Sequence, residues 1–483
     1  MVAALDVNNI GGTIDAGDKL SVSAGRDLNL VTTTRDTATE QATRTSVERV
    51  AALYVTNPGG TLTATAARDI NAKGAQIANS GEAGSTTLAA GNNVNLDTVT
   101  EKSTQSLRWD ANNYRKEAMS SEVGSTIAAA GDVRVMAGND INARGLNATS
   151  DKGAINLAAA NNVNLGTAES RQQVDEGHQT SGSSGWLSKK TVTTRDQVDQ
   201  SQASGSTVSG NTVSVAAGKD VNVTGSNVVS TRGTQIAAAG DVNILAASDK
   251  ADSTHVRNEV TSGLFSGGGF GVTIGKQEMD NKNRTVSSTA VSSTVGSTEG
   301  NVAISAGSGY KQVGSNVMAP KGDIDIIAKK ISILAETDSE RNTQDVVFKQ
   351  SGLTLQITSP VLAAIQTVQQ MKKAAESTTD GRMKLLAAAN IGFAGKNAYD
   401  AVKTGQGVAV EGKDNPQVLT NARNEDGSLK MGADGKPETR DATAADKAGG
   451  INLSISLGAS KNESHSESSA NTAKGSTVGQ DER

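Results

Sequence analysis

The sequence predicts an all-β protein, a parallel β-helix (solenoid) with protruding β-hairpins and a small α-helical insertion. Three observations predict it. The phrase Ala-Ala-Gly-Lys-Asp-Val-Asn-Val (216–223) returns as Ala-Ala-Ala-Gly-Asp-Val-Asn-Ile (237–244), with relatives near 24–30, 67–72, 89–96, 128–135, 136–142, 158–165 and 304–309. Asp220 to Asp241 and Asp140 to Asn161 are both steps of 21 residues, the length of one coil of three short strands and three turns. Aromatic residues make up only 2% of the 483, so any core has to be built from small aliphatic side chains stacked in register.

Composition narrows the function classes. The charge is −5, from 46 basic and 51 acidic residues mixed along the chain, so no basic stripe suggests nucleic acid. There is no Cys, which removes disulfide and thiolate chemistry. No apolar run is long enough to span a bilayer. Met1-Val-Ala-Ala-Leu-Asp lacks the basic start and apolar stretch of a signal peptide.

Each coil strand alternates, as in Val213, Val215 then Val221, Val223, or Ile155, Leu157 then Val163, Leu165. One side faces a narrow interior and the other faces water. Gly131, Gly218 and Gly240 are expected to permit positive φ at turns. The following Asp132, Asp220 and Asp241 are expected to bond local amides as Asx-type turns, with Asn92 and Asn161 alternating there to limit charge repulsion.

Coils alternate with polar excursions at roughly 31–57, 97–123, 166–204, 246–295 and 335–474. Their middles are turn-like (Ser181-Gly-Ser-Ser-Gly) and their limbs are β-prone (Thr191-Val-Thr-Thr, Val272-Thr-Ile). Each reads as a long hairpin leaving the solenoid at the same corner. In the last two, Ser262-Gly-Leu-Phe matches Ser351-Gly-Leu-Thr, and Gly268-Gly-Phe-Gly-Val-Thr-Ile matches Gly449-Gly-Ile-Asn-Leu-Ser-Ile. Both return to a Gly-Ser-Thr, at 296–298 and 475–477. The division expected is therefore 1–358 coils with hairpins, 359–404 a helical insertion at a hairpin tip, 405–448 a flexible polar loop, and 449–483 a returning strand leading to a next coil. Ser359-Pro360 fits a helix start, and Val361, Ala364, Ile365, Val368, Met371 and Ala375 form one apolar face. Because 475–478 repeats the run that opens a coil at 205–208, the chain is expected to be a segment of a longer polypeptide.

Catalytic and metal chemistry find no support. His178, His255 and His465 lie in different excursions and read as solvated polar residues. Gly267–Lys276 fails the phosphate-loop pattern, with Phe270 where the first Gly belongs and Gln277 after Lys276. The turn carboxylates lack the tandem nonapeptides of a calcium-binding β-roll. No cofactor is expected. The scarce large apolar residues near the proposed tips, Trp109, Trp186, Leu187, Leu264, Phe265 and Phe270, are the candidate interaction positions. Packing across their own hairpins is the alternative.

The phrase Ala-Gly-Asp-Val or Ala-Gly-Lys-Asp-Val-Asn-Val, the paired coils and the Ser/Thr-rich excursions before each Gly-Ser-Thr resemble the haemagglutinin repeat region of filamentous-haemagglutinin-like exoproteins. Those include adhesins and contact-dependent growth inhibition toxins of Gram-negative bacteria. The resemblance covers nearly the whole chain apart from about 359–448. It implies a right-handed helix and export through an outer-membrane two-partner secretion transporter. It also implies display at the cell surface as part of a longer chain. The expected role is a non-enzymatic stalk acting in toxin delivery to neighbouring bacteria, with the target-cell surface or membrane as partner. The alternative is an adhesin segment binding host or sibling cells.

Overall fold

The computed structural model describes residues 1–82, 84–185, 187–266, 271–358, 408–409, 418–422, 424, 428–441 and 452–479. The alternation of apolar and polar residues closes the chain into a three-sided parallel β-helix. One side runs from Val7–Ile10 through Leu28–Val31 to Lys330–Leu334. A second runs from Thr13–Ala16 through Ala52–Val55 to Thr477–Gly479. The third runs from Val2–Ala3 through Lys19–Ala24 to Ile324–Ile327. Every coil adds inward residues to one continuous core, such as Leu62 and Ala64, Ile70 and Ala72, or Val213 and Val215. Full burial of each Val, Leu or Ile contributes about 1.5–3 kcal/mol.

Polar ladders run along the outside of this core. Asn8, Asn29, Asn71, Asn95, Asn142, Asn164, Asn222 and Asn243 each pass a carboxamide hydrogen bond of 2.8–3.0 Å to the next. The steps between rungs are 21, 42, 24, 47, 22, 58 and 21 residues, so long and short coils strictly alternate. Beside them, Asp6, Asp27, Asp69, Asn93, Asp140, Asn162, Asp220 and Asp241 each accept a backbone N–H from the following coil. Asp132 does the same toward Ala154 at another turn. This corrects the local Asx-turn expectation: these side chains staple successive coils. The alternating positions are Asn93 and Asn162, one residue after the expected ones. Guanidinium groups support the first rungs, Arg26 on Asp6 and Arg68 on Asp27. The hydrogen bond from Arg26 pulls the Asp6 carboxyl down to about 2.

All five hairpins leave between the first and second sides, one at every second coil. Their limbs are Thr33–Ala38 and Ala42–Arg49, Val99–Arg108 and Tyr114–Val123, the outer part of Val163–Gly185 and Ser188–Gly205, Ala247–Ser266 and Gly271–Val291, and Glu336–Thr358 and Asn452–Lys474. At the same corner of the intervening coils stand Gly11, Gly74, Gly145, Gly225 and Gly314, with φ of +56° to +60°. A Cβ on Gly225 would come within 2.6 Å of Ala247 Cβ, the first residue of the hairpin below. Gly131, Gly218 and Gly240 do not have positive φ, contrary to expectation. They permit close approach instead: a Cβ on Gly218 would lie 2.0 Å from the Ala160 carbonyl oxygen.

The hairpins do not stand apart. Residues 102–105 pair with 42–45, 114–121 with 170–177, 188–201 with 250–263, and 271–288 with 339–356. The result is one antiparallel sheet, a fin that widens from the first hairpin to the fifth. Coils rise about 4.8 Å each, so hairpins two coils apart start about 9.6 Å apart. That is the width of the two strands in one hairpin, and neighbours therefore meet edge to edge without a gap.

The Gly-Ser-Thr after a hairpin also has a physical reason. Ser125, Ser206, Ser226, Ser293, Ser315 and Ser476 form a ladder in which each Oγ accepts an N–H of the preceding coil at 3.0–3.3 Å. Residues 475–477 align with Ser292-Ser293-Thr294, not with 296–298 as expected. The returning limbs match two residues away from the sequence alignment, with Val272 level with Ile455 through Leu355. Near the last coils the interior turns polar. Buried Tyr310 donates to Gln312 Oε1 at 2.8 Å, and Gln312 donates to the carbonyls of Ser315 and Thr477. Burial raises the Tyr310 pKa. The helices expected at 359–404 lie outside the described residues. Within 405–448, Val408–Ala409, Val418–Asn421 and Thr439–Asp441 form a small antiparallel sheet.

Candidate functional site

Strict alternation in the outer limbs of the last two hairpins creates a two-faced sheet. Val272-Thr-Ile274, Leu353-Thr-Leu355 and Ile455-Ser-Leu457 put aliphatic side chains on one face and hydroxyls on the other. Pairing then sets Leu264, Ile274, Leu353 and Leu457 directly across from one another, with Val272, Leu355 and Ile455 in the next row. All seven are exposed, from 38% at Leu264 to 81% at Leu457. Leu187 extends the first row: its carbonyl accepts the Leu264 N–H at 3.0 Å, and it is 62% exposed. A contiguous aliphatic face of this kind on a polar sheet is the candidate interaction surface.

Below it, Gly263, Gly275, Gly352 and Gly458 stand opposite one another. A Cβ on Gly275 would lie 2.0 Å from the Ser351 carbonyl oxygen, and Gly263 and Gly352 are equally confined, whereas a Cβ on Gly458 would meet nothing within 4 Å. The next row on the aliphatic side contains Lys189 and Lys276, and two residues further come Lys349 and Lys461. The patch is therefore bounded on its rod side by ion pairs, Lys276 and Lys349 with Glu278 and Lys461 with Glu463.

The expected interaction positions divide. Leu187 and Leu264 join the aliphatic rows. Phe265 is half-buried on the opposite face, level with Thr273 and Thr354. Trp109 is exposed at the tip of the second hairpin, away from the patch. Trp186 and Phe270 lie outside the described residues. Tyr114 packs across a hairpin seam, its ring over Gly177 and its hydroxyl 3.2 Å from Asp175. Val272, Ile274, Leu353, Leu355, Ile455 and Leu457 were missed by a search for aromatic tips. Their period-two spacing was the signal that could have found them.

Elsewhere the fin has a cavity of about 990 Å³ across the first four hairpins. Its charged walls are largely paired internally, Arg195 to Asp175 at 3.0 Å and Arg284 to Asp252 at 2.6 Å. His255 faces Asp196 and His465 faces Asp345 across adjacent strands, so these histidines are not simply solvated. No cluster of His, Cys, Asp and Glu suited to a metal ion occurs among the described residues.

The hemagglutinin repeat family model matches residues 109–195 and 187–352, the coils and hairpins of the middle of the rod. The chain belongs to the filamentous haemagglutinin family. This hemagglutinin repeat segment is 32% identical to the tRNA nuclease CdiA of Escherichia coli (strain STEC_O31), over 98% of the segment and 13% of that protein. It is 27% identical to the tRNA nuclease CdiA-2 of Burkholderia pseudomallei (strain 1026b), over 75% of the segment and 12% of that protein. It is 31% identical to the 16S rRNA endonuclease CdiA of Enterobacter cloacae subsp. cloacae, over 59% of the segment and 8% of that protein. The segment thus spans about an eighth or less of these relatives. No solved structure matches it. Family membership places the repeat rod in a large secreted, cell-surface exoprotein.

Proposed function

We propose that this segment is a non-enzymatic stalk that acts in contact-dependent delivery of a toxin to neighbouring bacteria. In this reading the parent chain leaves its cell through an outer-membrane two-partner secretion transporter. The rod then supplies stiffness, because every coil is hydrogen-bonded to the next along three sides. In this reading the nuclease activities named for the relatives lie outside this segment. The observation that carries the contact role is the aliphatic face around Ile274 and Leu457, held on strands of 23 residues that project about 75 Å. An exposed apolar surface of this kind suits the surface or membrane of a target cell.

The test is Ile274→Ser, Leu353→Ser and Leu457→Ser together in the parent exoprotein, with surface display verified. Loss of target-cell attachment or growth inhibition supports the reading. Wild-type attachment and inhibition overturn it. Attachment lost with no inhibition to lose would identify the adhesin role instead.

A further inference from the structure

The inward column of the first side that runs from Asn9 to Ile333 holds Leu or Ile in every coil that emits a hairpin. In the plain coils before the second, third and fourth hairpins it holds Ala72, Ala143 and Val223. Before the first and the fifth it holds Asn9 and Gln312, both buried. These two carboxamides do the same thing. Asn9 donates to the Ala52 carbonyl at 3.3 Å, and Gln312 donates to the Thr477 carbonyl at 3.0 Å. Ala52 and Thr477 open the second-side strands by which the chain rejoins the rod after the first and the fifth hairpin. The remaining polar atoms are satisfied within the rod. Asn9 Oδ1 accepts the Gly12 N–H at 3.0 Å, and Gln312 Oε1 accepts the Tyr310 hydroxyl at 2.8 Å.

The other three hairpins rejoin without such a bond. There Ser125, Ser206 and Ser293 each donate to a carbonyl at the point of departure, Asp97, Gly166 and Leu245, which lie 28, 40 and 48 positions earlier. After the first hairpin, Ala51 stands where those serines stand. The fifth keeps its serine, but Ser476 reaches back to Leu334 over 142 positions. Closure costs more as an excursion lengthens. The returning strand also offers the core only one aliphatic residue, Val478, to choose its register.

We infer that Asn9 and Gln312 are re-entry latches, buried groups of the rod that select the residue at which the chain rejoins it. A strand that returned out of register would leave the carboxamide unpaired in the core, so the latch penalises every register but one. The register of re-entry is thereby written in the rod. The fifth excursion can be long because its closure does not depend on what it carries. This role is independent of the aliphatic face, and its test does not involve target cells.

The chain has no cysteine, so engineered pairs report the register. Asn316 and Thr477 are direct partners on neighbouring strands about 4.8 Å apart, within reach of a disulfide. In the full chain, Asn316→Cys should cross-link with Thr477→Cys on mild oxidation, and not with Gly475→Cys or Gly479→Cys. Gln312→Met keeps the volume and removes the donors. It should spread cross-linking to 475 or 479 and speed exchange of the Thr477 amide, which donates to Ser315, at least about tenfold. The coil strand Val242–Leu245 should keep its protection. Asn9→Leu, the independent variant, should speed exchange of the Ala52 amide, which donates to Gly12. A single register with wild-type Thr477 exchange in Gln312→Met would overturn the inference. So would equal loss of protection at Val242–Leu245, which would mark a general core defect, or an unchanged Ala52 amide in Asn9→Leu.

Discussion

The Asn222 carboxamide donates to Asn164 Oδ1 at 2.8 Å, although the two residues are 58 positions apart and a complete hairpin separates them. The rod therefore closes behind each hairpin as if the hairpin were absent. Asn222 also accepts from Asn243 at 2.9 Å. Asn222→Ala should lower stability by about 1–2 kcal/mol through loss of both bonds. Denaturant unfolding checks this, and a change confined to the exposed hairpins would contradict it.

Plain corners require glycine. Gly225→Ala combines φ of +56° with a Cβ 2.6 Å from Ala247, and should cost at least about 2 kcal/mol. Gly182→Ala, where a Cβ meets nothing within 4 Å, should change stability by less than about 0.5 kcal/mol. Equal effects in parallel melts would refute the assignment of these corners.

The serine ladder predicts a cost at a small side chain. Ser206 is fully buried, accepts the Leu146 N–H at 3.1 Å and donates to the Gly166 carbonyl at 2.7 Å. Ser206→Ala leaves that N–H without an acceptor and should cost about 1–3 kcal/mol. Ser460→Ala, on an exposed limb, is the comparison in the same unfolding assay.

Acid should loosen the third and fourth hairpins from within. Asp199 and Asp252 stand directly opposite each other, and hydrogen bonds from Arg171 and Arg284 hold each carboxyl below its ordinary value. A depressed carboxyl stabilises the fold fully above the unfolded pKa of about 3.9, and loses that contribution as pH falls through the lower folded value. Amide exchange between the limbs at 167–177 and 195–205, and at 250–256 and 282–288, should therefore accelerate below about pH 4, ahead of the coil strand Val221–Thr224. An unchanged ratio of the two rates down to the folded pKa would contradict this.

Much of the rod was legible because its causes are local and periodic. The repeat around Asp220 and Asp241, the inward Val and Ile, and the hairpin positions all follow from patterns within one coil. The side-chain partners were not legible. Asp220 bonds the Asp241 N–H in another coil, and glycines at 218 and 225 look alike in sequence but do different jobs. Lateral pairing of the hairpins depends on the coil rise, a property of the assembled helix that no window of sequence contains. The aliphatic face arises only when limbs such as Val272–Ile274 and Ile455–Leu457 come into register through a third strand.

The central claim is that alternate-coil spacing zips the hairpins into one sheet. Deleting Thr167–Ser204 leaves Gly166-Gly205-Ser206, which reproduces the plain corner Thr224-Gly225-Ser226. It also opens a gap of about 9.6 Å between the second and fourth hairpins. Hydrogen exchange on this chain measures the claim directly. The account predicts that Val221–Thr224 keeps its protection, while the amides of Tyr114–Val123 and Ala247–Ser266 that faced the missing hairpin lose theirs. Undiminished protection of those amides would contradict it.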